Sequence, residues 1–308
     1  MRIVSLIPSA TEIVYALGAG QQLVGRSHEC DFPAEAGSLP ALTETRFYPE
    51  GSSYEIDQKV KAIVREASSV YRIDEELLKE LKPDVILTQS QCEVCAVSSD
   101  QLEGMIREVL GNDVQLIDMR IDRLDDLYEV ISGTARLLGK EKNGQSLNES
   151  IKEQFSGLTS LIPKQARPLN AAFIEWLIPP MTAGHWIPEI AAMAGANPVL
   201  SPAPGADSPF IGIEKLVEED PEYILLIPCG YSINDTLSDL DALREQPEWH
   251  KLSAVKNNQV FIADGNQYYN RPGPRLTTAL RILCEIFYPD VFQPENQNSG
   301  WVKMPSDS

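Results

Sequence analysis

The chain is poor in the residues and runs that would commit it to several large classes of protein. It has five cysteines in 308 residues, an odd number. That is too few for a disulfide scaffold, so packing must hold the fold. No run of about 18 apolar residues occurs, which leaves no candidate for membrane insertion. Basic residues are scarce: 26 Lys and Arg stand against 45 Asp and Glu, for a net charge of -19. Such a surface repels polyanions, which argues against nucleic acid as a partner. It serves solubility, and it would also suit a basic protein partner. Only three histidines are present, so general bases are few. No glycine-rich phosphate loop, no G-x-S-x-G and no H-E-x-x-H is found, and no Ser-His-Asp set has informative spacing. Nothing in the chain asks for catalysis, and the expectation is a protein that is not an enzyme. No secretory leader is visible either. The short apolar run after Met1 stops at Pro8. As written, the chain reads as cytoplasmic, or as periplasmic if a leader has been removed.

What is present is the alternation of an α/β protein. Hydrophobic residues make up 43% of the chain, enough for two cores. Residues 2–6 form a short β-branched run, read as a buried strand. Ser9 and Glu12 follow in a capping-box spacing, and Ile13, Val14 and Leu17 continue it as a helix. Strands are expected near 23–25, 85–87, 114–117, 171–176, 223–227 and 259–262, with helices between most of them. This order predicts mainly parallel sheets flanked by helices. Residues 81–87 and 219–225 repeat one phrase of helix, proline break and strand, which fits two lobes of similar build. Residues 123–162 are almost wholly helix-compatible and read as one long strut helix, with Gly139 and residues 142–144 as a potential break. The expected organisation is an N-terminal lobe over 1–122, the strut over 123–162, a C-terminal lobe over 163–292 and a flexible tail over 293–308.

The residues of unusual type gather after strands, where open parallel sheets bind ligands. Trp176, His185 and Trp186 follow the strand near 171. The two tryptophans offer flat apolar contact, although either also suits a core. His185 is a candidate ligand for a metal, or an ordinary hydrogen-bonding residue. Tyr268, Tyr269, Arg271 and Arg275 follow the strand near 260. The arginines flank a helix start and suit a carboxylate, amide or phosphate, or a tie to acidic neighbours. Cys92 and Cys95 make one C-x-x-C half-site, which Cys30 and His28 would complete as a Cys₃His set for zinc or iron. Ordinary loop thiols are the plainer reading of that pair.

These residues also carry a resemblance. Residues 4–12, VSLIPSATE, resemble the opening of the iron-siderophore and cobalamin substrate-binding proteins. Val24-Gly25, then Cys30 to Pro33, Leu39-Pro40, residues 81–87, Pro179-Pro180 through Gly184, residues 213–216 and Pro274-Arg275 match further stretches in order, over roughly 2–290. The match is closest to the cobalamin-binding branch. The resemblance implies two lobes joined by a rigid helix, with a corrinoid or related metal chelate bound between them. It places Trp176, Phe210 and Tyr268 at or near aromatic contacts, and puts Thr88 where the cobalamin binder has an aromatic. It also implies an ABC importer permease as partner, docked through one surface glutamate per lobe. Glu214 matches the second of these. The first falls on Ala96, with Glu93 close by. Cys92, Cys95, Cys30 and His28 depart from the importer pattern and look like the mark of a leaderless cytoplasmic branch. Two alternatives remain: a metal-binding protein or metal-dependent enzyme built on those four residues, and a module that binds a basic partner.

Overall fold

A computed structural model describes residues 1–47, 50–66, 70–90, 99–111, 113–164 and 167–306. The chain divides into two compact units. The first holds most of residues 1–150, and the second holds 151–308 together with the short segments 51–55 and 122–124.

The first unit is built on a parallel sheet. Strands β1 (Ile3–Ser5), β2 (Leu23–Arg26), β5 (Val85–Thr88) and β6 (Gln115–Asp118) lie in the order β2-β1-β5-β6. All three pairings are parallel, as the βαβ reading requires. A separate antiparallel pair, β3 (Thr43–Thr45) and β4 (Tyr71–Ile73), was not legible as strands. Val4, Leu6 and Ile86 pack with Leu42, Leu78 and Ile106 on one face of the sheet. Each such side chain contributes roughly 1.5–3 kcal/mol by leaving water. The first helix, Pro8–Ala16, starts earlier than the Ser9–Glu12 capping box implies. Pro8 takes the first helical position, where its fixed φ suits the helix and its missing N–H costs nothing. Ile7 is the N-cap, without a side-chain cap.

The second unit carries a mixed sheet. Strands β7 (Leu169–Trp176), β8 (Met181–Thr182), β9 (Ala196–Pro198), β10 (Tyr223–Leu226), β11 (Val260–Ala263) and β12 (Trp301–Lys303) take the order β12-β11-β10-β7-β8, with β9 also on β7. β7, β10 and β11 are mutually parallel, whereas β8 and β12 run antiparallel at the edges. The core on one face includes Ile174, Leu226 and Ile262, with Trp249 beneath them.

The repeated phrase is real in three dimensions. Helices Glu75–Leu81 and Ile213–Glu219 each end on a left-handed C-cap, Lys82 at φ 45° and Asp220 at φ 40°. The cap N–H bonds back to Leu78 in one case and to Leu216 in the other. A proline follows each, and β5 or β10 begins two residues later. Proline cannot continue the helix, so the chain turns into the sheet at the same place in both units.

Two expectations need correction. The strut over 123–162 is two helices, Leu124–Leu137 and Glu141–Leu161. Gly139, at φ 63°, interrupts them. The linking helix is therefore the second, 21 residues long, with its part up to Ser150 in the first unit and its part from Ile151 in the second. The tail over 293–308 is not loose across its described residues. β12 pairs with β11 through Phe261 and Lys303, and Trp301 is buried. Its indole N–H donates to the buried Glu285 at 2.8 Å, and Asn296 donates to the same carboxylate from its backbone and side chain at 3.1 and 2.8 Å. Polar composition disguised a segment in which Asn296 and the Trp301 indole serve a buried carboxylate.

Candidate functional site

The second unit's parallel strands end together, and the loops leaving them are tied into one edge. β7 ends at Glu175 and Trp176. The chain leaving β10 returns to it through the Cys229 N–H, which donates to the Glu175 carbonyl at 3.0 Å. The chain leaving β11 joins next: Asn266 N–H donates to the Tyr231 carbonyl at 3.0 Å. Asn270 fixes the same junction, donating from Nδ2 to Ile227 O at 3.1 Å and accepting from Cys229 Sγ at 3.1 Å. This close crossing explains Gly265. A Cβ there would stand 2.2 Å from the Pro228 carbonyl oxygen, so only glycine lets the two loops meet.

The edge presents aromatic surface. Trp176 is half-buried and stands edge-on to Tyr231, with ring centroids 5.5 Å apart. Trp176 is paired across to Met181, and Met181 bridges to Phe210, whose ring is 51% exposed. Directly opposed residues of antiparallel neighbours project to one face, so these three lie side by side. The Trp176 indole N–H is shielded from water yet has no hydrogen-bond partner among the described residues. An unmade bond of that kind costs about 1–3 kcal/mol. Burial, then the charges of Asp239 and Asp235, push the Tyr231 phenol far above its ordinary range, so it stays a neutral donor. Tyr268 lies under the Arg275 guanidinium, 5.5 Å from ring centroid to charge.

The predicted aromatics divide. Trp186 and Tyr269 belong to the core, not to this edge. Trp186 is 7% exposed, and its indole N–H donates to the Tyr269 carbonyl at 3.0 Å. Tyr269 is fully buried, its hydroxyl donating to Ala279 O at 3.1 Å. Both polar tips are used internally, which is what a buried indole or phenol requires.

The arginines sit among neutral amides and a carboxylate. Arg271 is buried and donates to Asn266 Oδ1 at 2.8 Å. Arg275, the N-cap residue of helix Leu276–Phe287, donates to Gln267 Oε1 at 3.2 Å. Asp264 accepts from the backbone and side chain of Gln267 at 2.8 and 3.1 Å. Burial raises the Asp264 carboxyl, and the hydrogen bonds from Gln267 with the charges of Arg271 and Arg275 work the other way. His185 is held in a left-handed conformation at φ 50°, its ring stacked on Trp186. Its Nδ1 is 3.3 Å from Asp122 Oδ1 without hydrogen-bond alignment, and its Nε2 is 3.9 Å from the exposed Asp207. Gly184 permits this turn, since a Cβ there would lie 2.4 Å from Ala206 O.

In the first unit, His28 and Cys30 are occupied separately. His28 Nδ1 lies 2.7 Å from Thr43 Oγ1, and its ring rests on Tyr71. Burial holds the imidazole below its usual pKa. Cys30 is fully buried, and its sulfur lies 3.0 Å from Thr11 Oγ1. Cys92 and Cys95, with Glu93 and Ala96, lie outside the described residues. Among the described residues no group of three His, Cys, Asp or Glu side chains is placed to hold a metal ion. Thr88 is buried at the end of β5. Glu214 is exposed in the first turn of its helix.

The family model described as periplasmic binding protein matches residues 3–266. The chain belongs to the periplasmic binding protein family. Its relatives include the vitamin B12-binding protein of Vibrio cholerae serotype O1, 25% identical over 289 residues, which are 92% of this chain and 87% of that protein. An uncharacterized ABC transporter substrate-binding lipoprotein of Bacillus subtilis, YvrC, is 25% identical over 301 residues, covering 95% of this chain and 81% of its own length. Among solved structures, the periplasmic heme-binding protein RhuT of Roseiflexus sp. RS-1 superposes with a TM-score of 0.70 at 21% identity, covering 94% of this chain and 98% of that one. That likeness establishes the two-unit α/β fold. The cytoplasmic reading finds no support here: the family is described as periplasmic, and the names of two of these proteins include periplasmic or lipoprotein. No helix among the described residues is long and apolar enough to cross a membrane.

Sequence reasoning missed Tyr231, Asp264, Asn266, Gln267 and Asp122. The first had a usable signal: Tyr231 leaves a parallel strand, as Trp176 and Tyr268 do. The amides and the carboxylates had none, because Asn, Gln and Asp are common in any turn.

Proposed function

We propose that the chain is the substrate-binding component of an ABC importer, and that its ligand is a corrinoid or a related flat metal chelate. The observation that carries this reading is the second unit's edge, where Trp176 keeps an unpartnered indole N–H beside Tyr231 and Phe210. An aromatic edge with one shielded, unused donor is suited to a large planar ligand that brings its own acceptor. The names of the relatives support the same class: one binds vitamin B12 and another heme. Tyr268, Arg271 and Arg275 would meet the ligand's polar rim. Glu214, exposed on its helix, would dock to a basic surface of the permease. Such a component works outside the cytoplasmic membrane.

The test is calorimetric titration of the purified chain with cyanocobalamin, haem and a ferric siderophore. Saturable one-to-one binding of one of them is expected. No binding of any of the three overturns the reading. Elemental analysis of the same preparation tests the separate expectation of zinc or iron at Cys92, Cys95, Cys30 and His28. Loss of the metal in a Cys92→Ala/Cys95→Ala variant would place it there.

A further inference from the structure

Resting on that reading, we infer that the second unit's edge selects a ligand rimmed with neutral amides over one rimmed with carboxylates, and that Asp264 is the positioning residue that sets this selectivity. Two arginines at a binding edge would ordinarily point to an anionic ligand. Here their surroundings work against that. Arg271 is 6% exposed and donates to Asn266 Oδ1, while Arg275 donates to Gln267 Oε1. The carbonyl ends of both amides are therefore occupied by guanidinium. Asp264, 4% exposed, accepts from the backbone and side chain of Gln267, the same residue whose Oε1 holds Arg275, and so brings a carboxylate into the arginines' network. Glu175, 7% exposed at the end of β7, adds a second buried carboxylate to the same strand ends. Against the two cations stand Asp264 and Glu175, with Asp239 and Asp235 acting on the neighbouring Tyr231, so the edge has no surplus of positive charge to offer.

A primary amide suits such a place, because it accepts from a guanidinium through oxygen and donates to a carboxylate or an amide oxygen through nitrogen. A ligand carboxylate only accepts, and it would be desolvated beside Asp264 with a like charge for a neighbour. The bare count of arginines gives the opposite expectation, which makes the two distinguishable.

The test uses one corrin framework with two rims: dicyanocobinamide, whose side chains are amides, and dicyanocobyrinic acid, whose side chains are carboxylates. Titrated into the full-length chain, the amide form should bind at least about tenfold more tightly. Asp264→Asn should narrow or reverse that ratio by about tenfold or more, by strengthening the acid form. Asparagine keeps the oxygen that accepts from Gln267 N–H at the start of the 265–269 turn, so the local fold is retained. The ratio between two ligands on one protein is a readout that mere loosening of the loop would not move. Should Asp264→Asn fail to fold, Asp264→Ser, which keeps a side-chain oxygen for the Gln267 N–H and removes the charge, takes its place. Equal or tighter binding of the acid form overturns the inference and leaves the carrier reading standing. Failure of both corrins, together with cyanocobalamin, haem and siderophore, overturns the carrier reading and this inference with it.

Discussion

The two units end their parallel strands in different chemistry. At the first unit's strand ends stand Ser5, Ser27 and Thr88, all buried, with Thr43 close to Ser27 and His28. Their hydroxyls are largely spent on one another: Thr11 donates to Ser5 Oγ at 2.8 Å and Thr43 to Ser27 Oγ at 3.0 Å. At the second unit's strand ends stand Trp176, Tyr231, Tyr268 and two arginines. The scaffold rule is shared, since both sheets are built from the same helix, proline and strand phrase. The side chains differ, with small hydroxyls in one unit, of which the buried Thr88 Oγ1 has no hydrogen-bond partner among the described residues, and aromatic area in the other. A fold can therefore repeat while the side chains at its strand ends differ in kind.

The comparison is most easily broken through the tryptophans. Trp186→Ala should cost about 3–5 kcal/mol of stability, the usual result of emptying a buried aromatic site. A clear fall in the thermal unfolding midpoint is expected. A variant as stable as the wild type would show that Trp186 is not core. Trp176→Ala should leave stability nearly intact and weaken ligand binding by about 2 kcal/mol, the scale of an aromatic hot spot. Isothermal titration reads this directly, and unchanged affinity would remove Trp176 from the site.

The first unit gives the smaller effects. Thr43→Val strands the His28 N–H, which donates to Thr43 Oγ1 at 3.0 Å, and a stranded buried donor costs about 1–3 kcal/mol. Denaturant melting should show that loss, with ligand affinity changed much less than by Trp176→Ala. An equal loss of affinity would mean that the hydroxyl edge also holds the ligand. The smallest effect is one of pH. His28 is held below its ordinary value of 6.5, chiefly by burial. The unfolded chain then binds more protons than the folded one as pH falls through 6.5, so stability declines there and levels off below the folded pKa. His28→Asn, which keeps a polar partner for Thr43, should flatten that decline in melts taken across acidic pH. An unchanged slope would assign it to other groups.

Much of this division could be read before the fold was known, and the rest could not for definite reasons. Strand ends are legible because β-branched runs stop at turn residues, and the aromatics that follow them stand out as candidates. Adjacent aromatics were not separable. Tyr268 and Tyr269 lie on one tight turn, where a single residue step takes the side chain from the edge into the core. Trp176 and Trp186 differ in the same way, because only packing decides which indole finds an internal acceptor such as Tyr269 O. Helical spacing runs on through Gly139, which the sequence marks only as a potential break; its positive φ makes the break real. The C-terminal segment was read as loose because hydropathy cannot register a buried Glu285 that needs Asn296 and Trp301 as donors.

The most direct test of the central claim is a crystal structure of the chain with cyanocobalamin, or whichever chelate binds in titration. The account predicts the ligand against Trp176, Tyr231 and Tyr268, with a ligand acceptor on the Trp176 indole N–H. A ligand seated away from that edge, or a Trp176 N–H still without a partner beneath it, would contradict the account.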